Sequence, residues 1–281
     1  MSHDIQKFKT EGLVNVSYPA ELRNAVEVAM NSWKKFCELP EEVRIKFPYL
    51  PNSVNGSVSG VGYELKKVPG ATLDQKEDFH FTLAKEQELL DTANSISNEI
   101  AAQLIVDAKK LTEGIQILVN DFALKVEKEF SIEGFADEIE RSHDVTIIRF
   151  LHYFGGASTG EEIAKAHSDK SGFTLHLYES DPGLQYLDRS YNWQEMPVSH
   201  EETVIIPGMR GQYRSKGELK ATSHRVIATS DTAKTGRYSA VAFVHLKDTP
   251  QYNKAGAGRL QEFKPGFNYE MPFEEFSKLF I

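Results

Sequence analysis

Apolar positions recur at three- and four-residue steps through the first half of the chain and at every second position through much of the second. Pro19 suits the first turn of a helix over 19–38, since its missing N–H has no partner there in any residue. Leu22, Val26, Ala29, Met30, Trp33 and Cys37 then form one stripe along it. Leu39-Pro40 ends that pattern, and 41–47 reads as a second, short helix. Residues 52–62 (NSVNGSVSGVG) have loop composition, and 79–81 read as a strand. A long helix is predicted over 92–130, with Ile96, Ile100, Leu104, Ala108, Leu111 and Ile115 on one face. Gly114 interrupts it, and glycine costs roughly 1 kcal/mol against alanine inside a helix, so a break is expected nearby.

Past residue 140 the period becomes two. Strands are predicted at 145–154, 173–178, 183–187, 203–206, 224–230 and 237–246, separated by Gly, Pro, Asp and Ser. Many short strands without intervening helices argue for a sandwich or barrel, not a parallel sheet. The tail is polar and glycine-containing from 249 to 266 and amphipathic from 272 to 280, where Phe273, Phe276 and Phe280 would cover the core or form a dimer contact.

Composition narrows the functional field. Of 281 residues, 40% are hydrophobic and 26% charged, as in ordinary globular proteins, and 32 basic against 41 acidic side chains leave a net charge of −9. No basic block is present, so nucleic acid is not an expected partner. Cys37 is the only cysteine, which excludes an internal disulfide and any cysteine-based metal cluster. The first ten residues are polar and no apolar run approaches 18 residues, so neither secretion nor a membrane span is expected, and the expected address is cytoplasmic.

Phosphate-binding loops are absent: after Gly60-Val61-Gly62 and Gly256-Ala257-Gly258, Leu65 and Gln261 stand where a third glycine is needed. His200-Glu201 lacks a second histidine at 204, which is Val, and no G-x-S-x-G elbow occurs. What remains is His167-Ser168-Asp169. Residues two apart on an extended chain share a face, so this imidazole and carboxylate can grip one ion; His200-Glu201-Glu202 is a rival of similar geometry. Arg237 and Ser239 share a face of the last strand, where Val241, Phe243 and His245 continue it. An arginine entering that apolar interior needs an anion, either a bound organic acid or one of the chain's own carboxylates.

Taken together, His167, Asp169, His224, Arg237 and Ser239 resemble the signature of the non-haem iron(II)/2-oxoglutarate-dependent dioxygenases, with a closer likeness to the isopenicillin-N-synthase-like branch. Residues 167–187 (HSDKSGFTLHLYESDPGLQYL) resemble that branch's first metal strand and following hairpin, and 220–226 (KATSHRV) its distal histidine segment. Arg237-Tyr238-Ser239 resembles its R-x-S anion clamp, and 147–153 (IIRFLHY) the strand that would set Tyr153 beside the cosubstrate. The run 12–81 resembles the branch's helical cap. There are departures: Leu151 stands where many members have Asn, Phe154-Gly155-Gly156 replaces a proline-rich stretch, and Gly208-Met209 replaces a Gly-Asp pair.

The resemblance implies an α+β chain with a mainly β core, a double-stranded β-helix (jelly roll, cupin-like), over 141–247. It implies an N-terminal helical and mixed cap over 1–140 and a tail with a short helix over 248–281. It also implies an oxidoreductase that oxidises, by hydroxylation or a related step, a small organic molecule and releases succinate and CO₂. Its reagents would be Fe(II) on His167, Asp169 and His224, 2-oxoglutarate on Arg237, Ser239 and Tyr153, and O₂, with ascorbate as an added reductant. Three alternatives stay open at the level of sequence: an iron/O₂ oxidase of the same fold that dispenses with 2-oxoglutarate, a zinc hydrolase, and a non-catalytic metal-binding protein. His176 and His245 read as packed or hydrogen-bonded strand histidines, and His80, His143, His152 and His200 have no partner at ligand spacing.

Overall fold

A computed structural model describes residues 5–51, 60–246 and 272–276. After a short helix α1 (Gln6–Thr10) and strand β1 (Val14–Ser17), the chain enters α2 (Ala20–Cys37), preceded by Pro19 in extended geometry. Helix α3 (Glu41–Arg44), strands β2 (Gly62–Lys66) and β3 (Lys76–Phe81), and helix α4 (Glu86–Ser95) follow. Helix α5 (Glu99–Phe130) is then about 48 Å long at 1.5 Å per residue. Its start is fixed by Asn98, whose side chain accepts the Ala101 N–H at 2.8 Å, and its end by Ser131 in the left-handed region. Helix α6 (Phe135–Arg141) leads into the second half.

There the strands are β4 (Ile147–Tyr153), β5 (Glu162–His167), β6 (Phe173–Glu179), β7 (Leu184–Leu187), β8 (Trp193–Glu195), β9 (Glu202–Pro207), β10 (His224–Ile227) and β11 (Arg237–Val244). Short helices α7 (Met209–Arg214), α8 (Thr232–Thr235) and α9 (Phe273–Phe276) complete the chain. The strands form a seven-stranded sheet, β1-β9-β6-β11-β4-β3-β2, and a four-stranded one, β5-β10-β7-β8, with every named pairing antiparallel. The fold is the double-stranded β-helix, sheet-rich with helices packed on one side and not a closed barrel.

Alternation divides each central strand between two environments. On β4, Ile148 and Phe150 face the helices, where they join Trp33, Phe36, Leu104 and Ile105 in the main core. Leu151 and Tyr153 face the smaller sheet and join Val241, Ile163, Leu184 and Val226 in a second core. Trp33 is fully buried, with its ring 5.8 Å from Phe36 and 6.3 Å from Phe150. This rigid backing fixes the large sheet whose other face carries the polar groups described below.

Several boundaries differ from the sequence reading. The long helix is interrupted at 96–98, where Ser97 has φ 51°, and it passes through Gly114 unbroken. A Cβ on Gly114 would lie 3.3 Å from Leu22 Cδ1, so the glycine serves close approach to α2 and not a kink. The second helix stops at Arg44 instead of residue 47. Strands β1, β2, β5 and β8 lie outside the segments expected from the sequence, and β1, β2 and β3 extend the large sheet from the N-terminal half. Of the tail, only 272–276 is described; Phe276 is buried with its ring 5.3 Å from Tyr213, and Phe280 lies outside the described residues.

Candidate active site

His167 closes β5 and His224 opens β10, and antiparallel register sets the two directly opposite each other. Their rings lie 4.4 Å apart. Asp169 follows β5 in the loop, where Thr174 Oγ1 donates to its Oδ2 at 2.7 Å and its carbonyl accepts the Met209 N–H. Nε2 of His167 is 3.7 Å from Asp169 Oδ1, and Nε2 of His224 is 3.8 Å from Oδ2. These separations are below twice a metal–ligand length of about 2.1 Å, so one ion can bridge all three donors. Nδ1 of His167 donates to the Lys165 carbonyl at 2.7 Å, which leaves Nε2 with its lone pair toward the cluster. Burial holds His224 down to about 3, against the pull of Asp169, so its ring is neutral. Burial would raise the Asp169 carboxyl, but the two histidines and the Thr174 hydroxyl outweigh it and hold it below the usual range. Two neutral imidazoles and one carboxylate are a donor set suited to Fe(II).

The three donors line a cavity of about 270 Å³ between the sheets, whose opposite wall carries Tyr153, Arg237 and Ser239. Gly236 delivers Arg237 there: its φ is +76°, and a Cβ would meet the Tyr153 carbonyl oxygen at 2.2 Å. Arg237 opens β11 opposite Tyr153, and Ser239 lies two residues on, opposite Leu151. The Arg237 side chain is fully buried, and one nitrogen, Nη2, donates to Glu179 Oε2 and to the Asp181 carbonyl. Nε and Nη1 have no partner among the described residues. Of the two anion sources considered for Arg237, the chain's own Glu179 occupies one nitrogen, and two others remain available to a ligand. Burial raises the Tyr153 phenol above its ordinary value, so it is a neutral hydroxyl beside the arginine.

His176 is a buried strand residue that also lines the cavity: its ring is 5.4 Å from that of His224, Nδ1 is 3.7 Å from Glu179 Oε1, and neither ring nitrogen makes a hydrogen bond among the described residues. Two other histidines correct the sequence expectation. His80 and His152 do have neighbours of ligand type, in clusters with Glu64 and Asp78 and with Cys37 and Glu77. The second cluster is already committed: Glu77 accepts from Tyr63 Oη at 2.7 Å, contacts His152 Nδ1 at 2.8 Å, and pairs with Arg44. The rival His200 stacks edge-on to Tyr178 at 5.8 Å and belongs to none of these clusters. A larger groove of about 580 Å³ between α2 and α5 contains lysines and carboxylates but no histidine, and offers no such chemistry.

The sequence comparisons agree with this geometry. Residues 144–246 match the 2OG-Fe(II) oxygenase superfamily. Clavatol oxidase claD of Penicillium crustosum is 30% identical over 115 residues, covering 38% of this chain and 32% of that protein. The 1-aminocyclopropane-1-carboxylate oxidase 2 of Malus domestica is 32% identical over 121 residues, covering 41% and 34%. Each match thus spans about a third of the curated relative's length. Among solved structures, a full-length Neurospora crassa protein in complex with alpha-KG and thymine superposes with a TM-score of 0.71 over 97% of this chain and 88% of that one, at 18% identity. The rice dioxygenase for auxin oxidation superposes with a TM-score of 0.65 over 94% and 85%, at 20% identity. The fold is shared, while the substrate is not carried over by such a likeness. Among the described residues, no helix is long and apolar enough to cross a membrane.

Proposed function

We propose that the chain is an Fe(II)- and 2-oxoglutarate-dependent oxygenase that oxidises a small organic molecule, releasing succinate and CO₂. The observation that carries this reading is one cavity holding the His167–Asp169–His224 donor cluster on one wall and a buried arginine with two unpartnered nitrogens on the other. When bound, Fe(II) with O₂ and 2-oxoglutarate supplies an oxidant able to attack an unactivated C–H bond.

The residues then have distinct tasks. His167 and His224 offer Nε2 lone pairs, and Asp169 contributes a negative charge held in place by Thr174. Arg237 donates to the far carboxylate of 2-oxoglutarate, Ser239 adds a hydroxyl, and Tyr153 closes that end, so the keto acid is oriented before reaction. Leu151, Leu184, Val226 and Val241 keep the surrounding wall apolar and limit water near the reacting atoms.

Single-turnover succinate release on admitting air to the anaerobic protein with Fe(II), 2-oxoglutarate and a metabolite pool tests this. Arg237→Ala should lose most turnover at modest 2-oxoglutarate while retaining metal. Unchanged succinate output in that variant overturns the clamp. Turnover without any succinate favours the oxidase of the same fold, for which the Glu179 contact to Arg237 is the supporting observation.

A further inference from the structure

The large sheet presents its cavity face in rows set by register. Lys76, Tyr153 and Arg237 make one row, Asp78, Leu151 and Ser239 the next, and His80, Arg149 and Val241 the third. The cosubstrate end is therefore the first row, where Lys76 Nζ also lies 5.4 Å from the centre of the Tyr153 ring. Arg149 lies at the far end of the same face. Its Nε is 2.9 Å from His80 Nε2, which in turn is 2.9 Å from Asp78 Oδ1, and its guanidinium carbon sits 5.2 Å from the centre of the Phe243 ring. Burial and the Arg149 charge together hold His80 down to about 4, so the imidazole beside Nε is neutral.

Arg149 is thus fixed by one edge and one flat face, yet it lines the cavity, and among the described residues Nη1 and Nη2 donate to no group. A guanidinium immobilised in this way has little rotamer freedom left to lose, and its terminal nitrogens match a planar pair of oxygens. The neighbouring Phe243 and Val241 supply apolar contact on the same wall. Arg237 is committed to the keto acid under the oxygenase reading, on which this inference rests. Arg149 is then left as a separate anchor.

We propose that Arg149, with Phe243 beside it, anchors a carboxylate of the primary substrate at the end of the cavity opposite Arg237, so that the substrate class is small organic acids with an apolar body.

The test uses the full chain loaded anaerobically with Fe(II) and saturated with 2-oxoglutarate, so that the Arg237 end is filled. Benzoate and phenylacetate, each beside its uncharged amide, are titrated against the visible band of the loaded site and by calorimetry. The acids are expected to bind at least tenfold more tightly than the amides. Arg149→Met should abolish that preference without changing the 2-oxoglutarate titration, and Arg149→Lys should restore part of it; thermal unfolding of each variant confirms its fold. Equal binding of acids and amides, no binding of any acid, or an Arg149→Met defect confined to 2-oxoglutarate would each overturn the proposal. Failure of 2-oxoglutarate to bind the iron-loaded parent would instead overturn the oxygenase reading itself.

Discussion

Glu179 places a carboxylate oxygen on Nη2 of Arg237 inside the protein, where the arginine side chain is fully hidden from solvent. In the unliganded chain this contact supplies the anion that a buried guanidinium requires. Under the proposed function, a dicarboxylate bound there would bring a second anion to the same cation, and Glu179 and the cosubstrate would then compete for it.

Glu179→Gln should therefore destabilise the ligand-free protein and tighten 2-oxoglutarate binding by about tenfold, or about 1.4 kcal/mol. Thermal unfolding with and without 2-oxoglutarate, together with an anaerobic titration of the iron-loaded protein, checks both halves. Weaker binding would mean that Glu179 orients the arginine instead of competing for it.

Gly236 precedes Arg237 at a positive φ, against the Tyr153 carbonyl. Gly236→Ala should shift the start of β11, cost about 1–3 kcal/mol of stability, and weaken 2-oxoglutarate binding more than metal binding. Parallel metal and 2-oxoglutarate titrations would show a purely global defect if both fell together.

Lys76 is buried on the row that ends in Arg237, and its ion pair with Asp74 is long, at 3.6 Å. Lys76→Met should weaken 2-oxoglutarate severalfold, because a cation beside the clamp offsets the charge of a dianion. The dissociation constant in low and high salt is the readout, and an unchanged value would limit Lys76 to packing against Tyr153.

His80 is buried and titrates in the folded protein near 4, below its ordinary 6.5. The unfolded chain therefore binds the extra proton first, and stability falls as pH drops from 6.5 toward 4, by about 3 kcal/mol at most from this residue. Asp78 is shifted in the same direction: burial would raise it, but His80, Arg149 and Lys76 hold it well below the usual range, so its own contribution is lost only in stronger acid. Urea unfolding between pH 4 and 7 should show a shallower slope in His80→Asn than in the parent, with His152, also held near 4, keeping part of it.

The cluster of His167, Asp169 and His224 and the buried Arg237 with Ser239 are legible in sequence as groups of residues because each rests on a short local pattern, His167-x-Asp169 and Arg237-x-Ser239, joined by a single distal histidine. The register that sets His167 against His224 is not local, and strand β5, which ends in His167, buries Ile163 and Ala164 in succession and lacks the alternation that marks a strand. Glu179, His176, Lys76 and Arg149 are invisible for the same reason. Their roles follow from which strand lies beside which, and β3 reaches the site only by pairing with β4 from far away in the chain. Helix boundaries fail differently. Gly114 signals a break by propensity alone, yet the packing of α2 against α5 overrides that signal, while Asn98 and Ser97 carry the real interruption through capping.

The first-half strand β3 is hydrogen-bonded onto β4 and carries β2 on its other edge, and β1 is hydrogen-bonded onto β9, within the sheet that also bears Arg237. A fragment beginning near residue 141 would expose raw backbone along both margins of that sheet and forfeit Lys76 with it. New substrate scope in such a scaffold is therefore expected to arise by side-chain replacement along these shared rows, not by exchanging the front half as an interchangeable module.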